Sequence, residues 1–222
     1  MKKLLFVFFF TINLLCSAVV SADSKVYFYS ANHADYSKAK SLLFEKGILL
    51  RSNQLSYPDY KAAYFWSVQP KSLTKIFSYI KEGGNVWMDV TEYDTEDNDF
   101  VQDIFGFSIV REQTTRKAHS LVIDGGSLFG LWKGLKIGAY PDGAEAAILT
   151  YLILRNKDEW NCTFITSEST GKKRIVSAYK KIGKGKLLVM CQFQWPLIFR
   201  NSIDIMDNKK AVIDIMFPWL IK

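Results

Sequence analysis

The chain has 222 residues, of which 49% are hydrophobic and 23% charged, which is the composition of a globular protein. This apolar content excludes intrinsic disorder, and 13 glycines with 5 prolines are too few for a collagen-like or low-complexity chain. One domain with an aromatic-rich core is the expected organisation at this length. No cofactor motif is present, so we expect no cofactor.

The N-terminus has the pattern of a secretory signal peptide. Two lysines precede an apolar stretch over residues 4–15, which is shorter than the roughly 20 residues that a transmembrane helix needs. Val20 and Ala22 then provide the small residues of a cleavage site. We predict a signal peptide at residues 1–22 and one domain at residues 23–222, periplasmic or secreted and without a transmembrane anchor after cleavage. A retained anchor is the alternative.

Basic residues are concentrated late in the chain. Without the signal peptide, 27 basic and 22 acidic residues remain, which gives a net charge of +5. The cluster consists of seven basic residues: Lys172, Lys173, Arg174, Lys180, Lys181, Lys184 and Lys186. Such a cluster can attract a polyanion or anionic lipid. The alternative is a solvated hairpin edge whose lysines prevent aggregation.

The first half of the chain alternates short apolar runs with amphipathic segments, which is typical of a parallel sheet with helices. The predicted strands are residues 26–29, 48–50, 62–66 and 85–90. Helices are predicted after Asp35, after Pro70 and after Thr95, and the second of them ends at Gly83-Gly84.

The second half changes character after Gly106. Its glycines among apolar residues predict an irregular lobe over residues 107–140. Further strands are predicted at residues 146–154, 162–167, 174–179 and 186–193, followed by a final helix that starts near Asp207. The second half is therefore expected to be a strand-rich C-terminal extension of one continuous domain.

Cys162 and Cys191 are the cysteines of the mature chain, and both lie in strand-like runs. An oxidising compartment would allow them to pair. A meander of the last three strands would place them about 9–10 Å apart, too far for a disulfide, so the sequence leaves pairing open. His33 and His119 are remote from both cysteines in the sequence, and no C-x-x-C motif occurs, so we predict no metal site.

Three segments carry motifs of a known superfamily. They are residues 79–87 (YIKEGGNVW), residues 179–189 (YKKIGKGKLLV), and Phe199-Arg200-Asn201 followed by Asp207-Asn208-Lys209-Lys210-Ala211. These segments resemble the class I glutamine amidotransferase-like superfamily, and more closely its uncharacterised bacterial envelope domains that lack amidotransferase chemistry. In such domains a helix ends in Gly-Gly before a central strand, a Gly-Lys-Gly turn enters a buried strand, and an Asp-Asn pair opens the last helix.

The resemblance covers most of residues 25–221. It implies an α/β fold: a flavodoxin-like three-layer sandwich with a mostly parallel central sheet and the strand-rich extension. Amidotransferases of this superfamily place a nucleophilic cysteine on an elbow after the central strand, with a histidine and a glutamate elsewhere. The matching stretch here is Met88-Asp89-Val90-Thr91-Glu92, without a G-x-C-x-G motif. Since Asp89 stands near the nucleophile position, the resemblance implies the fold without thiol catalysis.

The candidate site is the edge where parallel strands end, because open sheets of this kind bind ligands there. The loops after the first and fourth strands contain six candidate ligand-binding residues: Asn32, His33, Asp35, Asp89, Glu92 and Tyr93. If the two strands are neighbours, His33 faces Asp89 and Glu92, and such a pair can orient a polar ligand or activate water. In the simpler alternative, Asp35 caps a helix and His33 is a surface residue.

These observations predict an exported non-catalytic binding or scaffold domain of the cell envelope, with an envelope protein or a small polar ligand as partner. The first alternative is a hydrolase of a polar or sugar-like substrate, with Asp89 as base and His33 assisting. The second is polyanion binding through the basic hairpin at residues 172–186. The chain has no recognisable nucleic-acid-binding module, and export also argues against a nucleic-acid partner.

Signal-peptide cleavage provides the first testable prediction. When the full chain is expressed in a bacterium, the exported product should begin at Asp23, because Ala22 is the last small residue of the cleavage site. Intact-mass measurement checks this. The Ala22→Leu variant should remain uncleaved, and a wild-type product that keeps Met1 and stays in the membrane would support the retained anchor instead.

Overall fold

The computed structural model describes residues 25–30, 37, 40, 43, 48–51, 54–65, 73–90, 98–115, 121–127, 136–137, 146–167, 171–191 and 220–221. In these residues one sheet contains eleven strands. The strands are β1 (Lys25–Tyr29), β2 (Leu49–Arg51), β3 (Ala62–Phe65), β4 (Asn85–Asp89), β5 (Phe107–Thr115), β6 (Leu121–Gly125), β7 (Lys136–Ile137), β8 (Ala146–Leu154), β9 (Asn161–Ser167), β10 (Lys173–Ile182) and β11 (Gly185–Met190).

The parallel half of the sheet has the order β2-β1-β3-β4-β11, and each of its pairings is parallel. β3 and β4 are buried along their whole length, which is typical of parallel strands covered on both faces. The predicted early strands are confirmed to within one residue at each end. Continuous apolar runs therefore identified this half correctly.

The antiparallel half begins where β11 pairs with β10. β10 pairs on its other side with β9, which is followed by β6 and β7. β8 touches β10 through one residue pair, Ile175 with Leu152, and pairs with β5 along its full length. The four strands predicted from residue 146 onward correspond to β8 to β11. β10 is longer than predicted, β11 ends at Met190, and residues 192–193 of the last predicted strand lie outside the described residues.

The predicted fold class is wrong. A flavodoxin-like sandwich needs a mostly parallel sheet, whereas six of the ten strand pairings here are antiparallel and the sheet is mixed. An α/β amidotransferase-like description of the whole chain fails for the same reason. Three of the antiparallel pairings involve the region of residues 107–140, which forms β5, β6 and β7 where we expected an irregular lobe, and the other three join β10 to β8, β9 and β11. β5 alternates buried Phe107 and Ile109 with half-exposed Ser108 and Val110, so it packs one face on the core.

Two helices have described bounds, α1 (Leu73–Glu82) and α2 (Asn98–Phe105). Both lie within the predicted helical segments, and α1 buries Leu73, Ile76 and Ile80 on one face as the spacing requires. Residues 37, 40 and 43 are also helical, as are residues 220 and 221. The predicted start of the last helix near Asp207 lies outside the described residues. None of the described helices is long and apolar enough to cross a membrane.

The end of α1 is in backbone contact with the turn between β10 and β11. Lys184 N–H donates a hydrogen bond to the Lys81 carbonyl oxygen at 3.2 Å. A Cβ atom on Gly185 would overlap the Gly84 carbonyl oxygen and lie 2.5 Å from that of Ile80, so the contact tolerates no side chain. The Gly-Gly and Gly-Lys-Gly motifs of the sequence are thus the two sides of one contact.

Replacement of Gly185 by alanine should lower the free energy of unfolding by about 3 kcal/mol, because the new methyl group meets backbone that cannot rotate away. Gly125→Ala is the matched control, since its Cβ would lie 3.5 Å from the nearest side-chain atom, an ordinary contact distance. Urea unfolding measures both variants. Similar free energies of unfolding for the two would contradict the close contact at Gly185.

Candidate functional site

Asp89 is the last residue of β4, and its side chain is completely buried. It is in register with Met190 of β11, and the next residue extends the pairing, because Val90 N–H donates to the Met190 carbonyl oxygen at 2.8 Å. Trp87 lies two residues earlier on the same face, with its ring 4.6 Å from that of Tyr64 on β3. Asp89 therefore lies at the carboxyl end of a parallel strand, but below the protein surface.

The Asp89 carboxylate acts on two buried polar neighbours. Burial raises the pKa of Tyr64 well above its usual value, and the negative charge of Asp89 raises it further. Burial also raises the pKa of the Cys191 thiol well above its usual value, and the negative charge of Asp89 adds to this rise. Both groups therefore stay protonated at neutral pH and neither carries a charge beside the carboxylate.

Cys191 directly follows the end of β11 and is fully buried. Its Sγ atom lies 3.3 Å from the carbonyl oxygen of Thr150 and 3.4 Å from that of Val176, so the thiol can donate to main-chain oxygens. Its N–H also donates to the Val176 carbonyl oxygen at 2.8 Å. A buried, protonated thiol is a weak nucleophile because the thiolate is the reactive form. A cysteine does lie at this edge of the sheet, and its buried thiol is protonated.

Cys162 and Cys191 are both free thiols. Cys162 belongs to β9 and Cys191 follows β11, with β10 between the two strands. Ala178 of β10 pairs with Cys162 on one side and with Val189 on the other. The three strands therefore form the meander that would keep the two cysteines too far apart for a disulfide.

The first and fourth strands are not neighbours. β3 lies between β1 and β4, so their carboxyl ends are separated by two strand spacings, roughly 10 Å. Five of the six predicted ligand-binding residues lie outside the described residues: Asn32, His33, Asp35, Glu92 and Tyr93. The pairing of His33 with Asp89 stays a prediction, and the adjacency on which it depended is absent.

The basic cluster is divided between the two ends of β10. Arg174 and Lys181 are seven residues apart on this strand, which corresponds to roughly 23 Å. At the start of β10, the Arg174 side chain forms an ion pair and a ring contact. Its Nη2 atom lies 2.6 Å from Glu112 Oε2, and its guanidinium lies 4.1 Å from the centre of the Tyr151 ring. Glu112 also lies 3.9 Å from the Lys172 ammonium group.

Lys180 is paired as well, because its ammonium nitrogen lies 3.6 Å from Glu159 Oε2 and 4.8 Å from the Trp160 ring centre. Burial lowers the pKa of Lys180, and Glu159 opposes this shift. Lys181 and Lys184 are exposed near the hairpin turn. Among the described residues, three of the six proposed polyanion-binding residues thus have carboxylate partners, which weakens the positive field of the hairpin.

Sequence reasoning missed the two glutamates that neutralise these cations. Glu112 is in β5, within the region expected to be irregular, and Glu159 is in the short 3-10 helix Lys157–Glu159. The alternation in β5 could have indicated the strand, but not its pairing with β8. In the described part of the chain, no group of three or more His, Cys, Asp or Glu residues could hold a metal ion.

No protein-family model and no curated protein matches the chain. Among solved structures, a β-galactosidase from Rahnella sp. R3 is 11% identical, with a TM-score of 0.54, over 86% of this chain and 31% of that chain. The exo-β-1,4-mannosidase Op5Man5 from Opitutaceae bacterium strain TAV5 is 11% identical, with a TM-score of 0.54, over 96% of this chain and 38% of the mannosidase. The chain therefore spans about a third of the length of the glycosidases it matches.

The cytoplasmic protein STM1381 from Salmonella typhimurium LT2 is similar over nearly its whole length: 12% identity, a TM-score of 0.57, and coverage of 88% of this chain and 98% of that one. A GMP synthase component from Thermoplasma acidophilum also matches, but its TM-score of 0.46 is too low to assign a fold. These likenesses concern fold alone. They agree only loosely with the resemblance to the glutamine amidotransferase-like superfamily. Residues 1–22, the predicted signal peptide, lie outside the described residues, so cleavage and secretion stay predictions.

Cys191 should resist alkylation in the folded protein, because its raised pKa keeps the thiol protonated at pH 8 and burial blocks access. Iodoacetamide should modify half-buried Cys162 before Cys191, and peptide mass spectrometry would identify the modified residue. In a Cys162→Ser control, Cys191 should react only after urea unfolds the chain. Fast modification of Cys191 in the folded state would contradict the contacts described above.

Proposed function

We propose that the chain is an exported, non-catalytic binding or scaffold domain, which binds a partner protein or a small polar ligand where its parallel strands end. Export is supported by the pattern of residues 1–22 alone. The binding edge is supported by the topology, because β1, β3, β4 and β11 have their carboxyl ends at one edge of the sheet. Ligands of parallel sheets are commonly bound at such an edge.

The burial of Asp89 and the protonated thiol of Cys191 support the proposal that the chain is non-catalytic. A general base must come within about 3 Å of the proton that it removes, and the Asp89 side chain is completely buried. The thiol beside it lies within hydrogen-bond distance of main-chain oxygens, and its pKa is raised. Neither group is arranged to attack a substrate. A buried carboxylate at this place instead supports a structural role beneath the binding edge.

The glycosidase likeness guides the choice of ligands for a first test. It extends over about a third of each enzyme, so the activities belong to those proteins and are not transferred to this chain. By analogy of fold alone, we take a sugar-like ligand or a carbohydrate-active partner as the first hypothesis for the ligand. Galactose- and mannose-containing disaccharides are therefore the first probes.

Turnover assays separate this proposal from the hydrolase alternative. Neither the wild-type protein nor Asp89→Asn should release nitrophenol from 4-nitrophenyl β-galactoside or β-mannoside faster than buffer does. If the wild type turned over either substrate, and both Asp89→Asn and His33→Ala abolished this activity without changing the free energy of unfolding, the hydrolase alternative would be supported instead.

Calorimetry with galactobiose and mannobiose tests the binding edge. We expect binding that weakens about tenfold in Glu92→Gln, which removes a carboxylate charge, or in Asn32→Ala, which removes an amide; the two residues follow β4 and β1 in the sequence. Lys184→Gln is the matched control, because Lys184 lies at the opposite edge, before the amino end of β11. Binding that responds equally to all three substitutions would contradict the proposed location.

A further inference from the structure

The antiparallel half contains a cavity of about 330 Å³ between β8, β9 and β10. β10 extends beyond the carboxyl end of β11, and the cavity lies along this projecting part. Its lining consists of Tyr151, Leu152, Lys157, Ile165, Lys173, Arg174 and Ile175. None of these residues belongs to the proposed binding edge. The volume is at the lower end of the range typical of small-molecule sites.

The floor of the cavity is apolar. Ile175 is in register with Leu152 on one side and with Ile165 on the other, so the three side chains share one face of the sheet. Leu152 is buried, while Ile165 and Ile175 are partly exposed. An apolar row that continues from the core into a cavity offers a ligand a surface from which water is readily displaced.

The rim of the cavity is cationic. Lys157 and Lys173 are exposed lysines from two different elements, the 3-10 helix and the start of β10. Arg174 also lines the cavity, but its charge is paired with Glu112 and its guanidinium lies over the Tyr151 ring. The described lining includes no acidic side chain. Burial raises the pKa of the nearby Cys162 thiol on β9, and the charge of Lys157 opposes this rise.

We propose that this cavity binds a small amphipathic anion, with its apolar body on Ile165 and Ile175 and its anionic head group beside Lys157 and Lys173. The apolar row supplies the burial energy, and the lysines select the charge. A polyanion would instead need cations spaced along the whole hairpin, where Glu112 and Glu159 already hold three of them. The cavity therefore favours a small ligand over a polymer.

Two related dyes test this proposal. 1-Anilinonaphthalene-8-sulfonate has an aromatic body with one sulfonate group, and N-phenyl-1-naphthylamine has the same body without the charge. In fluorescence titrations of the full chain, the sulfonate should bind at one site per chain, at least tenfold more tightly than the neutral dye. Equal affinities for the two dyes would overturn the proposed selection of an anion.

Matched double variants test the location. Lys157→Gln with Lys173→Gln should weaken sulfonate binding about tenfold and leave binding of the neutral dye unchanged. Lys181→Gln with Lys184→Gln removes the same charge at the other end of the hairpin and should leave sulfonate binding within twofold of wild type. All four lysines are exposed, so the variants should unfold at wild-type urea concentrations. Equal weakening in both double variants would overturn the assignment to this cavity.

Discussion

The backbone contact between the end of α1 and the β10–β11 turn fixes the position of β11 against β4. At Gly185 the main chain lies against the carbonyl oxygens of Ile80 and Gly84, at a distance that only glycine allows. The next residue, Lys186, is in register with Asn85, and the parallel pairing continues from there. Because strand register shifts only in whole residues, a contact at one end determines which side chains meet at the other.

The proximity of Asp89 and Cys191 is a consequence of this register. Met190 is paired with Asp89, so the next residue of the chain places a thiol within the field of the carboxylate. An acidic group beside a thiol raises the pKa of that thiol, which is the reverse of what nucleophilic catalysis needs. This arrangement is in keeping with the non-catalytic role that we propose for the chain.

Local patterns in the sequence predicted individual elements well, and pairings poorly. Continuous apolar runs in the sequence predicted the buried strands β3 and β4. The spacing of Leu73, Ile76 and Ile80 predicted the buried face of α1. The order of the strands depends on contacts between distant segments, so the insertion of β3 between β1 and β4 had no local signal. For the same reason, the pairing of Glu112 with Arg174 could not be predicted, since the two residues are 62 positions apart in the chain.

Amide hydrogen exchange in the Gly185→Ala variant tests the role of the glycine contact most directly. The amides of Val90 and Cys191 donate hydrogen bonds at the far end of β4 and β11. If the contact sets the register, these two amides should lose protection in the variant, while the amides of β1 and β3 keep theirs. Loss of protection confined to the turn at Gly185, with Val90 and Cys191 protected as in the wild type, would contradict the account.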